Sequence, residues 1–234
     1  MNVTVVGGTG EEGFGLALRF AKAGHAVTIG SRVAEKAQGS ADEARSLLDG
    51  AAGGVGADVR GDENTASVVG ADVVFVTVPF AGQALIYGAI GETLADGAIV
   101  CDCTSPLMTV VGGRATHAIR PWHGSAAEFA KTLLPKHVRL VAGFHTVAAS
   151  ALRALHEPVD SDVLLMGDDR ETKEVVGSLV DGIDGMRWVD CGGLQMARIA
   201  ETLTPLLIAV NVRYKVHDAG FRIAGRDAWG KPPA

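Results

Sequence analysis

Gly8, Gly10 and Gly13 fall at the glycine positions of a G-x-G-x-x-G turn, in full Gly8-Thr9-Gly10-Glu11-Glu12-Gly13. The apolar run Val3 to Val6 precedes it, and Phe14, Leu16, Ala17, Leu18, Phe20 and Ala21 follow with the texture of a helix buried on most sides. In that strand-to-helix context the chemistry is pyrophosphate binding. A side chain on the turn would block approach to the backbone N–H groups at the helix start, and the third glycine lets helix and strand touch.

The end of the second apolar run selects among dinucleotides. A carboxylate there would bond the adenosine ribose hydroxyls of NAD, but the run ends in Gly30-Ser31-Arg32, with Lys36 one helical turn further on. Ser31 can donate to a 2′-phosphate, Arg32 can pair with it and stack on adenine, and Lys36 adds a second cation, so NADP(H) is the expected nucleotide. Without the turn, Arg32 and Lys36 would read as a solvated helix start.

A nicotinamide implies hydride transfer, and reduction of a carbonyl needs a proton donor, often Tyr with Lys or His with a carboxylate. Short-chain dehydrogenases place their Tyr and Lys four residues apart, whereas here Tyr87 and Tyr214 are followed at that spacing by Gly91 and Asp218. That route is closed. Two other stretches carry polar chemistry. Gly143-Phe144-His145-Thr146-Val147-Ala148-Ala149 directly follows an apolar run, where open α/β sheets place ligands. His145 there suits a donor to a ligand carbonyl, and the small residues after it let a flat ring approach. By composition alone it is equally well an ordinary loop histidine. The second stretch carries Arg198, Glu201, Thr202 and Thr204 at about one-turn spacing, with Pro205 interrupting the apolar run.

Other polar clusters keep structural readings. Asp168-Asp169 with Glu171 reads as a turn and helix start rather than a metal site, and no metal centre is expected. Lys131, Lys136 and Arg139 read first as a solvated basic surface and only second as a site for an acidic ligand tail.

The positioning elements follow from hydrophobic pattern. The short runs Val3 to Val6, Ala26 to Ile29, Val73 to Val78, Ala98 to Cys101 and Val138 to Ala142 have the character of strands buried on both faces. Their connections are long enough for crossover helices. The expected fold class is α/β, a Rossmann-type doubly wound parallel sheet with a smaller C-terminal α/β unit. Residues 1–155 are assigned to the NADP-binding domain and 156–234 to a small domain closing the cofactor site. That unit is expected to hold strands at Asp162 to Met166 and Met186 to Val189, a helix near Glu171 to Val180, and one apolar helix from Arg198 to Arg213. The tail from Trp229 to Ala234 is expected to be poorly ordered.

Composition limits the partners. The 234 residues are 47% hydrophobic and 21% charged, as in a compact globular protein, and the net charge of −6 gives no overall field attracting nucleic acid or anionic membrane. Cys101, Cys103 and Cys191 lack zinc-site spacing and suit reduced thiols. Without a leader or a long apolar stretch, the expected location is the cytoplasm.

Across these stretches the chain resembles the F420-dependent NADP reductase family. The resemblance rests on Gly7-Gly8-Thr9-Gly10, Gly30-Ser31-Arg32 with Lys36, Thr77-Val78-Pro79, Ser105-Pro106-Leu107, His145-Thr146, Gly167-Asp168-Asp169, Ile183-Asp184-Gly185, and Arg198 through Thr204-Pro205-Leu206, in order over nearly the whole chain. It implies hydride transfer between NADP(H) and the deazaflavin coenzyme F420, with stacking of two rings as the protein's main task. By position, Thr9, Gly10, Glu11 and Glu12 would surround the pyrophosphate, and Ser31, Arg32 and Lys36 would hold the 2′-phosphate. Val78, Pro79, Gly82, Met108 and Ala149 would line the nicotinamide side, with Ala219 closing the site. His145, Arg198, Thr202 and Thr204 would contact the deazaflavin, with Val147 and Ala148 against its ring. The chain departs from the pattern at Thr202, Ala148 and Phe80. A homodimer is the expected assembly. Two alternatives stay open from the residues alone: an NADP-dependent reductase of a small imine or keto acid, and a non-catalytic NADP(H)-sensing protein.

Overall fold

The computed structural model describes residues 1–52 and 57–229; of the tail expected to be poorly ordered, Trp229 to Ala234, all but Trp229 lies outside them. Six parallel strands form the central sheet: β1 (Asn2–Val6), β2 (Ala26–Ser31), β3 (Val59–Glu63), β4 (Val73–Val76), β5 (Ile99–Asp102) and β6 (Arg139–Ala142), in the order β3-β2-β1-β4-β5-β6. Val3 faces Val27 on one side and Val73 on the other. Helices α1 (Glu11–Lys22), α2 (Ala34–Ala52), α3 (Asn64–Ser67), α4 (Gln83–Ile90), α5 (Ala126–Leu133) and α6 (Ala149–Arg153) connect or follow these strands. The chain winds outward from β1 to β3, then crosses back to β4. That reversal opens a crevice beyond the C-terminal ends of β1 and β4.

Both sheet faces are buried. On one, Phe14, Leu16 and Phe20 of α1 pack on Val3, Val5 and Phe75 in a cluster that runs on to Leu152 of α6 and to Val163 and Leu179 beyond it. Phe75 meets Phe20 at 4.6 Å and Phe144 edge-on at 5.4 Å between ring centroids. Each such ring contributes about 1.5–3 kcal/mol by burial. On the other face, Val74, Val76 and Val100 pack against Tyr87 and Ile90 of α4.

Polar anchors tie α1 to α6. The buried Arg19 guanidinium donates to the carbonyls of Leu152, Ala151, Ala154 and Glu157 at 2.7–3.0 Å, and Lys22 donates to that of Leu155. Beyond α6, β7 (Asp162–Leu165), α7 (Arg170–Asp181) and β8 (Arg187–Asp190) form a two-stranded parallel unit. As expected, Asp169 starts α7, its carboxylate accepting from the Thr172 N–H at 2.9 Å. A reciprocal backbone pair between Ala142 and Met166, at 2.8 and 3.0 Å, joins this unit to β6.

Two features differ from the expectation. The single helix over Arg198 to Arg213 is two, α8 (Ala197–Ala200) and α9 (Leu203–Tyr214), broken at Glu201 and Thr202. Pro205 is the cause: it has no N–H to bond the Glu201 carbonyl one turn back, and a first-turn position tolerates it. The pattern reading also passed over β3, a polar edge strand with alternating exposure. Its Gly61 is required, because a Cβ there would stand 2.2 Å from the Ala37 carbonyl carbon of α2.

Candidate nucleotide and hydride-transfer site

The turn after β1 is shaped by contacts no side chain would tolerate. Its Gly8 N–H donates to the Gly30 carbonyl at 2.9 Å. A Cβ on Gly8 would lie 2.7 Å from the Val5 carbonyl oxygen, and one on Gly13 would lie 2.5 Å from Thr77 Oγ1 and 2.8 Å from the Gly8 Cα. Gly10, at the N-cap, meets a single neighbour at 3.4 Å, and no side chain caps α1. The positive end of a twelve-residue helix is therefore open toward the crevice. This cradle fits a pyrophosphate.

The two glutamates of the turn direct their carboxylates elsewhere. Glu11 pairs with Arg153 at 3.3 Å. Glu12 has a buried Oε1 without a partner, and burial, reinforced by the Asp102 charge, pushes its pKa up to about 8. What the turn offers an anion is main-chain N–H.

Ser31 ends β2 nearly buried, while Arg32 and Lys36 stand exposed on the way into and along the first turn of α2. Neither cation has an ion pair among the described residues. Both face water at the β2 end of the crevice, the side on which a phosphorylated ribose needs charge.

At the β5–β6 end of the same sheet edge, His145 is 6% exposed, and neither of its ring nitrogens has a hydrogen-bond partner among the described residues. Burial lowers its pKa to about 4, opposed by the Thr104 main chain beside it. Phe144, just before it, adopts φ +69°, costly for a bulky residue, and its ring is held by Phe75 and Phe20. Thr204 donates to the His145 carbonyl at 2.8 Å, so the Ser105 hydroxyl, 2.7 Å from Thr204 Oγ1, donates to Thr204 in turn.

Of the residues expected on the nicotinamide side, Val78 abuts the turn. A Cβ on Gly7 would meet Val78 Cγ1 at 2.9 Å. Pro79 caps the short 3-10 turn Phe80–Gly82, and Met108 opens another, Met108–Val111. Ala149 starts α6 beside α1, its carbonyl 3.5 Å from a Cβ on Gly15. Across this point lies the C-terminal segment: Ser150 donates to the His217 carbonyl at 2.6 Å, and the Ala219 N–H donates to Asn211 Oδ1 at 3.1 Å. Ala148 and Ala149 are half-buried, whereas Val147 is turned into the main core with Phe144.

Arg198 and Thr202 are engaged differently from Thr204. Arg198 makes a two-pronged bond to Glu128, 2.6 Å on each arm, which holds the Glu128 carboxyl below its ordinary pKa. Thr202, in the break before α9, is exposed and donates to the Ile199 carbonyl of α8. Between them Glu201 is buried, its two oxygens accepting from the N–H groups of Ala126 and Ala127 at 2.8 and 3.0 Å. Burial pushes it up to about 8 against those donors. Glu201 thus caps α5 from α8.

Two further groups were not singled out from sequence as site residues. Ser105 stood only within the resemblance, although a serine just after a buried strand end was a usable signal. Asp102, fully buried, accepts from Gln83 Nε2 (2.7 Å), the Tyr87 hydroxyl (2.5 Å) and the Thr104 N–H (2.8 Å). An acid closing an apolar strand was its signal. Of the basic surface, Lys131 pairs with Asp168 at 2.5 Å and Arg139 donates to the Gly97 carbonyl, whereas Lys136 is exposed with no ion pair among the described residues.

Residues 2–106 match a family model described as NADP oxidoreductase, coenzyme F420-dependent. The F420-dependent NADP reductase of Methanothermobacter thermautotrophicus is 44% identical over 224 residues, covering 95% of this chain and 94% of that protein. That of Methanocaldococcus jannaschii is 40% identical over 223 residues, covering 95% and 98%. Among solved structures, a putative F420-dependent NADP-reductase from Arthrobacter sp. FB24 superposes with a TM-score of 0.77 at 26% identity, covering 95% and 98%. The Mycobacterium tuberculosis 3-hydroxyisobutyrate dehydrogenase, at 15% identity and TM-score 0.60 over 91% of this chain and 62% of its own, shares the fold.

Proposed function

The chain belongs to the coenzyme F420-dependent NADP oxidoreductase family, and from that membership we propose that it transfers a hydride between NADP(H) and the deazaflavin F420. One observation carries the reading beyond the name. The glycine turn after β1 and the His145–Thr204–Ser105 cluster after β6 and β5 open on the same edge of one parallel sheet.

NADP(H) supplies or accepts the hydride, and the deazaflavin is its two-electron counterpart. The chain's own task is orientation. The N–H groups at the start of α1 hold the pyrophosphate, and Ser31, Arg32 and Lys36 hold the 2′-phosphate. Val78, Pro79, Gly82, Met108 and Ala149 form the wall for the nicotinamide, and the stretch through Ala219 lies over it. His145, neutral at pH 7, donates from one ring nitrogen to a deazaflavin carbonyl without changing protonation. Thr204 and Ser105 fix the loop that carries it, while Arg198 and Thr202 line the approach. The C-terminal unit from residue 156 serves as the cover of the site.

The test mixes purified protein, NADPH and oxidised F420 and follows the deazaflavin absorbance. Enzyme-dependent bleaching is expected; well-folded protein that oxidises NADPH with small imines or keto acids but ignores F420 would overturn the reading. So would tight NADP binding with no turnover at all.

The active species is a homodimer. Helix α9 is mostly apolar with no strongly polar face, yet of its residues only Pro205 is buried, and Leu206, Val212 and Tyr214 are exposed by 57%, 69% and 71%. Such a surface requires a partner, and a second copy supplies the same apolar face in return. Light scattering should give twice the chain mass, and Leu206→Asp with Val212→Asp should halve it; a monomeric wild type at micromolar concentration would refute the assembly. No helix among the described residues is long and apolar enough to cross a membrane. We assign the activity to the cytoplasm, with small-molecule partners and no nucleic acid.

A further inference from the structure

From Cys103 to Ala127 the chain carries no carboxylate, although its net charge is −6; Arg114, His117, Arg120 and His123 all lie in this stretch. Gly112 (φ +78°) and Gly124 (φ +102°) sit in the left-handed region at the two ends of its central loop. The loop is pinned between them. The Met108 N–H donates to the His117 carbonyl at 2.9 Å and the Ile119 N–H to the Pro106 carbonyl at 2.8 Å, around an antiparallel bridge between Leu107 and Ala118. Carried on by two residues, that register sets Arg120 opposite Ser105, whose hydroxyl bonds Thr204. At its far end the loop presses on Arg198: a Cβ on Gly124 would lie 2.4 Å from Arg198 Nε. The loop thus runs beside Ser105 of the His145–Thr204 cluster at Arg120 and meets Arg198 at its Gly124 end.

The nearby cations divide into two groups. Arg198, Lys131 and Arg139 are committed to Glu128, Asp168 and the Gly97 carbonyl. Arg114, Arg120 and Lys136 are exposed and make no hydrogen bond or ion pair among the described residues, and of these only Arg114 and Arg120 lie on the loop. Beside Arg120, Trp122 is 98% exposed, an unusual cost for an indole with nothing to cover it.

We propose that loop 112–124 is a cationic strap for the acidic tail of the second carrier, with Arg114 and Arg120 as its charge contacts, while the ring is held at His145 and Thr204. This rests on the F420 reading above. Exposed arginines attract an anion through water, so the contribution is screened by salt and falls on KM rather than on the hydride step.

The test compares two acceptors reduced by NADPH: F420 with its acidic tail, and the tail-less deazaflavin riboside. For Arg114→Ala/Arg120→Ala at low ionic strength, KM for F420 should rise about tenfold, with kcat, the NADPH KM and the KM for the tail-less acceptor unchanged. Added salt should raise the wild-type F420 KM toward that of the variant, and Lys131→Ala should leave it in place. An unchanged F420 KM, or equal shifts for both acceptors, overturns the strap while leaving the hydride transfer intact. Failure of the wild type to reduce either acceptor removes the parent reading and the strap together.

Discussion

Thr204 donates to the main-chain carbonyl of His145 at 2.8 Å, so a hydroxyl 59 positions downstream fixes the loop that presents the imidazole. The bond also commits the Thr204 proton, which leaves Ser105 as donor in the next link. Thr204→Val removes both links, at roughly 0.5–1.5 kcal/mol each. The expected result is a fall of about tenfold in kcat/KM for F420, with the NADPH KM unchanged and Thr204→Ser close to wild type. Steady-state kinetics with both substrates varied checks it; equal losses for Thr204→Ser and Thr204→Val would remove the hydroxyl from the account.

Arg32 meets water at the end of β2, where NADP and NAD differ by one phosphate. Arg32→Ala should weaken NADP binding on the order of tenfold or more, the scale of a charge-assisted contact, and leave NAD binding nearly unchanged. Calorimetric titration with each nucleotide reads this directly. Equal losses for the two would refute the phosphate contact.

Burial holds His145 near pKa 4, below the ordinary 6.5. Its neutral form therefore persists through the working range, and kcat/KM for F420 should be flat from about pH 5 to about pH 8. An acid limb near 6.5 that disappears in His145→Gln would contradict a neutral donor. The stability consequence has a definite sign. The unfolded state takes up the proton first, so this group's contribution is present above pH 6.5 and is lost as pH falls toward 4.

Glu12 works in the opposite sense. Its folded pKa of about 8 lies above the ordinary 4.5, so between these values the folded state holds a proton that the unfolded state has released. Stability is lost as pH rises through that window, by at most about 1.4 kcal/mol per pH unit. Glu12→Gln keeps the neutral shape and removes the loss. Its melting temperature should gain on wild type progressively from pH 5 to pH 8, and a constant difference across that range would show that Glu12 is charged when folded.

Much of the geometry of the glycine turn was legible because most of its constraints are local. Gly8 and Gly13 answer to neighbours a few residues away in the turn and to the strand beside it, and Ser31-Arg32 ends a strand whose apolar pattern marks it. The polar groups after β5 and β6 were less legible because their constraints cross the chain. Nothing adjacent to Glu201 announces that it caps α5, and nothing near Asp102 announces Gln83 and Tyr87 as donors. Polar β3 was passed over for a related reason: an edge strand buries one face only, so its alternating exposure produces no apolar run. The break before α9 is visible as Pro205, but its place is set by the carbonyl one turn earlier, which puts it at Glu201 and Thr202 rather than at the proline itself.

The anchoring of Arg19 bears on how the molecule is made. Its acceptors begin 132 positions downstream, so on the ribosome the helix that carries the glycine turn waits on the order of ten seconds for them to be translated. Until then the Arg19 guanidinium lacks the carbonyls that receive it in the folded protein. The glycine turn is therefore translated well before the contacts that anchor its helix to α6.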